Sequence, residues 1–292
     1  MVKQAGDRIV VRSGELIGPV CEPVNPSQGA PGSIHTDSVA TGLGFRGGTI
    51  AGSLHMDQFV PVLLQAFGDR WLERGTLSMY FRNATTDGEP VRAIVSQPPD
   101  GATDAQVAAR MERDPDDMLV MEGTASVGDP GTKTALDERD LRLCDPGELR
   151  ILSEIAPGKD LSVGELELES KEQRARIEGG TLTEALPIYG EVASPSTAVG
   201  LLWRAAIRGL WEGAEAAKAV GLFGAIEVRQ INGPLLLDRA YDLTGEVIGV
   251  GQSPKTEYVW FESYADAEGK RVAEMRMQLR WMKASSELYQ DA

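Results

Sequence analysis

The two histidines of this chain fall in one stretch, His35 and His55 in IHTDSVATGLGFRGGTIAGSLHMDQF, each with an aspartate two residues on, Asp37 and Asp57. Imidazole and carboxylate together are the groups that general acid–base chemistry uses near neutral pH. Asp37 also suits a cap for the turn at Ser38. His55 and Asp57 would project roughly 200° apart on a helix, so they form no pair along it. Between the histidines lie Gly44, Gly47, Gly48 and Gly52, followed by Ser53. Glycines there let backbone N–H groups approach an anion or a polarised carbonyl closely. Neither Cys21 nor Cys144 has a further cysteine or histidine at ligand spacing, so no metal site and no cofactor are expected.

These residues need an element to hold them, and the sequence supplies one. Met56, Phe59, Val60, Leu63, Leu64 and Phe67 fall at i, i+3, i+4, i+7, i+8 and i+11, the single apolar stripe of an amphipathic helix beginning near Ser53 and kinked at Pro61. An offset of 143 residues carries that stripe onto Val199, Leu202, Trp203, Ala206, Ile207 and Leu210, all apolar or small. Gly47, Ile50 and Ala51 likewise meet Gly190, Val192 and Ala193. A register shared over about 45 residues indicates an internal duplication. The same offset puts Glu178 opposite His35, Gly180 opposite Asp37 and Ala198 opposite His55, so the chemistry belongs to the first copy.

After each helix the period changes to that of strands. GTLSMYFRNATT, VRAIVSQ, QVAARMER and MLVMEGTASV follow the first, and GAIEVRQI, YDLTGEVIGVGQ, KTEYVWFESYAD and RVAEMRMQLRWMK the second. In the final hairpin Val259, Phe261, Met275, Met277, Leu279 and Trp281 mark buried positions. RIVVRSGELIGPV reads as strand with a turn, the proline-rich residues 21–33 as loop, and LSVGELELESKEQ as strand. The expected organisation is an N-terminal domain over 1–128 carrying the site, a linker over 129–160, and a C-terminal domain over 161–292. The fold class is α+β, a sheet wrapped around a central helix in each half.

A net charge of −15 argues against a nucleic-acid or anionic-membrane partner, since either calls for a basic footprint. No apolar run approaches the ~18 residues of a membrane span, and the N-terminus carries no signal pattern, so a cytoplasmic location is expected.

A helix followed by an antiparallel meander, twice in one chain, resembles the double hot-dog fold. The segment Ile34-His35-Thr36-Asp37, Ala40, Gly44-Phe45 and Ile50-Ala51 resembles the MaoC-like (R)-specific enoyl-CoA hydratase and dehydratase family. In that family a D-x-N-P-[IL]-H-x-D segment leads through an alanine and a G-F motif into the hot-dog helix. The resemblance covers roughly residues 20 to 68. It implies an acyl-CoA-like thioester with its carbonyl at the helix N-terminus, near Gly47, Gly48, Gly52 and Ser53, and an Asp/His pair moving protons across the double bond. His35 matches the family's histidine. The aspartate five residues before it is Ala30 here, and the Asn-Pro pair, Asn25-Pro26, stands ten residues upstream. Glu22, Asp37 and Asp57 are the nearest acidic replacements, and His55 joins the candidates by flanking the apolar stripe.

Arg46, Arg82 and Arg92 are candidates for the phosphates of a CoA-type substrate, while Arg204 and Arg208 share a face of the second helix. Trp203 and Phe223 would shape room for an acyl tail. Four readings stand: a hydro-lyase using His35 and a carboxylate; a hot-dog thioesterase directing water with Asp57; a non-catalytic binder of acyl or hydrophobic ligands; and a repurposed fold acting on a carboxylic or polyketide-like molecule. Hot-dog units pair edge to edge, so a homodimer is among the expected assemblies.

Overall fold

The computed structural model describes residues 9–179, 186–211 and 216–290, with the side chains of Arg208 and Trp211 outside that description. The first half opens with strands β1 (Val10–Arg12) and β2 (Glu15–Ile17), then the short helices α1 (Asp37–Gly42) and α2 (Gly52–Asp57). Helices α3 (Val60–Phe67) and α4 (Arg70–Arg74) lead into β3 (Gly75–Phe81), β4 (Val91–Ser96), β5 (Ala105–Arg113) and β6 (Met118–Val127). The second half contains β7 (Leu143–Cys144), β8 (Gly164–Leu168), α5 (Ser170–Glu178), α6 (Pro195–Trp211), β9 (Gly221–Gln230), β10 (Arg239–Gln252), β11 (Thr256–Ala267) and β12 (Lys270–Met282).

All pairings between these strands are antiparallel, in the order β1-β2-β4-β5-β6-β3-β9-β12-β11-β10-β7, with β8 on β10. The two half-sheets are therefore one continuous sheet. β3 of the first half joins β9 of the second, with Leu77 opposite Val228 and Met79 opposite Ile226. Joining the edges satisfies backbone groups that each half would otherwise expose.

The expected single helix at the centre of the first half is broken in two. Gln58 and Phe59 form the break, and Pro61 sits in the first turn of α3, where its missing N–H costs nothing. Met56, Phe59, Val60 and Leu63 are buried as the stripe requires. In the second half the expected strand LSVGELELESKEQ is strand only over Gly164–Leu168, and Ser170–Glu178 (SKEQRARIE) is helical. Its Gln173 is fully buried and holds the carbonyls of Tyr189 and Val192 at 2.7 and 3.0 Å.

The connecting residues pack against the sheet. Leu136 is buried and its N–H donates to Ser78 Oγ at 3.1 Å, while Asp137 bridges Arg229 and Arg276 at 2.6 and 2.8 Å. Further on, the N–H groups of Arg150, Ile151 and Leu152 converge on the Glu257 carboxylate. No helix among the described residues is long and apolar enough to cross a membrane.

Candidate active site

His35 sits in the loop before α1, held by three backbone contacts. Asn25 Nδ2 donates to its carbonyl at 2.8 Å, Thr49 N–H donates to the neighbouring Ile34 carbonyl at 3.1 Å, and His35 N–H donates to Ser33 Oγ at 3.2 Å. The ring nitrogen Nδ1 lies 2.6 Å from the carbonyl oxygen of Thr49, which can only accept. In the neutral ring the proton is therefore on Nδ1, and Nε2 carries the lone pair. This loop fits only because residue 48 is glycine: a Cβ there would stand 2.2 Å from the His35 carbonyl oxygen.

His55 lies on α2, 2% exposed, with Nε2 2.7 Å from Thr85 Oγ1. Its Nδ1 is buried and has no hydrogen-bond partner among the described residues. Burial pulls the imidazole pKa down to about 4, with the charge of Glu89 opposing weakly, so the ring is neutral at physiological pH. Leaving such a nitrogen unpaired costs on the order of 1–3 kcal/mol.

Both histidines line one cleft of ≈ 1060 Å³ that runs between the halves. The first half contributes Phe45, Gly52, Phe81 and Thr85; the second contributes Trp203, Phe223, Lys218, Lys255 and Arg280. Gly52 lets the Phe81 ring approach, since a Cβ would meet it at 2.4 Å. Trp203 stacks edge-on to Phe223 with centroids 5.5 Å apart, forming an apolar wall. Among the described lining residues there is no aspartate or glutamate.

Several predicted site residues stand outside this cleft. Asp37 is exposed and spends its carboxylate on the Gly48 N–H at 2.7 Å, bracing the loop instead of capping α1. Asp57 is buried on the other side of α2, where it is neither solvated nor paired directly with an arginine. It accepts the Ser196 N–H at 2.7 Å and the Ser196 hydroxyl at 2.5 Å. Burial raises its pKa to about 6 against the opposing effect of these donors.

The glycines are corrected in the same way. Gly47 is filled against by Asp37 and Thr86, and Gly48 by the His35 backbone, so neither lines the cleft; Gly44, with φ +86°, does. Ser53 is buried behind Gly52 and does not line it either. Arg46 is bound by Glu89, Arg92 by Asp114 and Asp117, and Arg204 by Glu172. Arg82 alone of the three first-half arginines lines the cleft, paired with Glu122 at 2.6 Å. No group of carboxylates, cysteines and histidines suited to a metal ion occurs among the described residues.

Sequence reasoning missed Thr85, Lys218, Lys255 and Arg280, because nothing local distinguishes them; the cleft assembles them from distant segments. Asn25, ten residues before His35, holds the His35 carbonyl across the loop. Neither Ala30, five residues before His35, nor Pro23, two residues before Asn25, carries a carboxylate.

The arrangement of two sheet-wrapped helices in one chain is matched by solved structures. A protein described as a MaoC-domain dehydratase from Chloroflexus aurantiacus superposes with a TM-score of 0.58 over 97% of this chain and 99% of its own, at 13% identity. The fold is the double hot-dog. A Mycobacterium tuberculosis protein described as having a double hot-dog fold matches with a TM-score of 0.54 over 91% of this chain and 96% of its own, at 12% identity. No protein-family model matches the sequence, and no curated protein matches it. At such identities the double hot-dog likeness concerns the fold alone.

Proposed function

We propose that the cleft is the site of a hydro-lyase acting on an enoyl or 3-hydroxyacyl thioester. The observation that carries this reading is His35: Nδ1 is fixed by the Thr49 carbonyl, and the ring lines a largely apolar cleft that contains Gly52 at the start of α2. In hydration, His35 Nε2 takes a proton from water as the water oxygen bonds to C3 of the enoyl group. The C2–C3 π electrons move toward the thioester carbonyl, whose oxygen the Gly52 N–H stabilises. The imidazolium then returns its proton to C2, and dehydration is the reverse. A backbone carbonyl orients the base here, in place of an aspartate. Neutral His55, held through Nε2 by the Thr85 hydroxyl, lines the same cleft. Phe223 and Trp203 of the second half receive the acyl tail.

A thioesterase using Asp57 finds no support, because that carboxylate is turned away and engaged by Ser196. Non-catalytic binding draws on a different observation, the absence of a carboxylate at both Pro23 and Ala30. The test is the ultraviolet enoyl-thioester band with crotonyl-CoA and with longer and branched enoyl-CoAs, together with a free-thiol assay. Loss of the band without thiol release is expected. Thiol release would return the thioesterase, and ligand binding without any reaction would leave the binder.

A further inference from the structure

Thr85 is connected to both histidines, to one by its side chain and to the other through its backbone. Its hydroxyl lies 2.7 Å from His55 Nε2, and its carbonyl accepts the Ile50 N–H at 2.9 Å. The Ile50 N–H and the Thr49 carbonyl are the two ends of one peptide unit, and that carbonyl oxygen is the one 2.6 Å from His35 Nδ1. The peptide that orients one ring is therefore held by the residue that orients the other. Thr85 is 1% exposed and lines the cleft with both rings.

The segment that carries Thr85 has little freedom. Glu89 accepts the Thr86 N–H at 3.0 Å, and Arg46 donates to Glu89 and to the Ala84 carbonyl at 2.8 and 3.2 Å. Thr49 also pairs with Thr86 across an antiparallel bridge. Arg46, placed by the sequence at a substrate phosphate, braces this platform instead.

The direction of the bond between Thr85 and His55 follows from counting partners. The hydroxyl makes no other hydrogen bond among the described residues, and His55 Nδ1 makes none. With Nε2 as donor, the Thr85 proton would lack an acceptor and the Nδ1 lone pair would lack a donor. With the hydroxyl as donor, only the Nδ1 proton is left over. Unpaired buried groups are costly, so the second arrangement is favoured.

We propose that Thr85 is a positioning residue whose hydroxyl fixes the neutral His55 ring with its proton on Nδ1. His35 reaches the same tautomer through a different partner, the Thr49 carbonyl. The two rings then differ in what is left over: a lone pair at His35 Nε2, and an N–H at His55 Nδ1. Without the hydroxyl, the His55 ring is free to turn or to move its proton to Nε2, and this wall of the cleft shifts. The consequence for turnover rests on the reading of the cleft as a hydro-lyase site; the tautomers do not depend on that reading.

The test is a long-range proton–nitrogen correlation spectrum of the intact protein labelled with ¹⁵N-histidine, recorded at about pH 8, above the ordinary imidazole range. The chain has two histidines, so two ring patterns are expected, and H35N assigns them. In the parent protein both rings should be protonated on Nδ1. In T85V the His55 ring should lose that exclusive pattern while His35 keeps it, because the backbone carbonyl of residue 85 is retained. T85S, which keeps the hydroxyl, should restore the parent pattern. With enoyl thioesters kcat should fall by at least ~10-fold in T85V, with KM within about 3-fold, and recover in T85S. A His55 ring protonated on Nε2 in the parent would overturn the assignment without any variant, so the test stands even if T85V fails to fold. A T85V pattern identical to the parent's, or a T85S pattern identical to that of T85V, would overturn it as well. The expected spectra with undiminished turnover in T85V would overturn the positioning role. A parent protein inactive on every enoyl thioester would sink the hydro-lyase, and the spectra would still decide what Thr85 holds.

Discussion

The Asp57 carboxylate accepts both the backbone N–H and the hydroxyl of Ser196, so α2 of the first half is tied to the opening turn of α6 in the second. The offset of 143 residues makes Ser196 the counterpart of Ser53, and Pro195 that of Gly52. The cavity beside Pro195, lined by Met56, Trp71, Leu77 and Tyr189, measures only ≈ 30 Å³. Asp57 is thus an internal anion seated where the second copy would otherwise present its helix N-terminus. Asp57→Ala should cost about 2–4 kcal/mol in urea denaturation, because the Ser196 donors lose their acceptor inside the protein and the nearby Arg176 loses its counter-charge. Asp57→Gly should regain part of that loss in formate, while the parent protein gains nothing. A Gly variant indifferent to formate would mean that the carboxylate is not what the α6 terminus needs.

Asp57 and His55 also set opposed pH dependences. His55 has a folded pKa near 4 against 6.5 for the free group, so the unfolded chain binds its proton first. Its contribution is complete above pH 6.5 and is lost as pH falls toward 4. Asp57 runs the other way: with a folded pKa near 6 against 3.8, the native state binds its proton first, and stability is gained as pH falls from 6 toward 3.8. The two slopes largely cancel in the parent protein. In H55Q stability should therefore rise on acidification through this window, and in D57N it should fall, each by about 2–3 kcal/mol in chemical denaturation series. Parallel curves for the two variants would refute the assignment.

Much of this arrangement was legible in the residues, and the rest was not for identifiable reasons. The stripe from Met56 to Phe67 and its repeat from Val199 to Leu210 gave both central helices, because burial against a sheet imposes that spacing. The hairpin from Val259 to Trp281 announced itself by alternation in the same way. Helix α5 did not, since ESKEQRARIE has no apolar stripe and is anchored by Gln173 through hydrogen bonds. The partner of Asp57 lies 139 residues away, and no local pattern names it. The cleft is harder still to read, because Arg280, Lys218 and Lys255 acquire meaning only when the β3–β9 seam brings the second half against His35.

Gly48 and Gly52 should respond differently to alanine. At Gly48 the added methyl meets the backbone of His35, which cannot move without displacing the imidazole. Gly48→Ala should therefore lose both stability and turnover, with a thermal midpoint lowered by several degrees, consistent with a clash of about 1–3 kcal/mol. At Gly52 the obstacle is the Phe81 ring, a side chain that substitution can shorten. Gly52→Ala with Phe81→Leu should recover most of the midpoint lost in Gly52→Ala alone. Failure of the double variant to recover would show that the backbone at Gly52 itself requires glycine.

The role of His35 can be separated from its place in the fold by His35→Asn. An asparagine amide can occupy the position of Nδ1 and donate to the Thr49 carbonyl, preserving the loop, but it offers nothing where Nε2 stood. Stability should then change by less than about 1 kcal/mol, while turnover of the enoyl thioester falls by about 10²–10⁴-fold, the range associated with loss of a general base. The cleft walls formed by the second half are untouched by this substitution, so the loss should appear in kcat. Unchanged turnover in a folded His35→Asn protein would remove this imidazole from the chemistry and pass the base to His55, whose low pKa would then set the acid limb of the pH profile near 4.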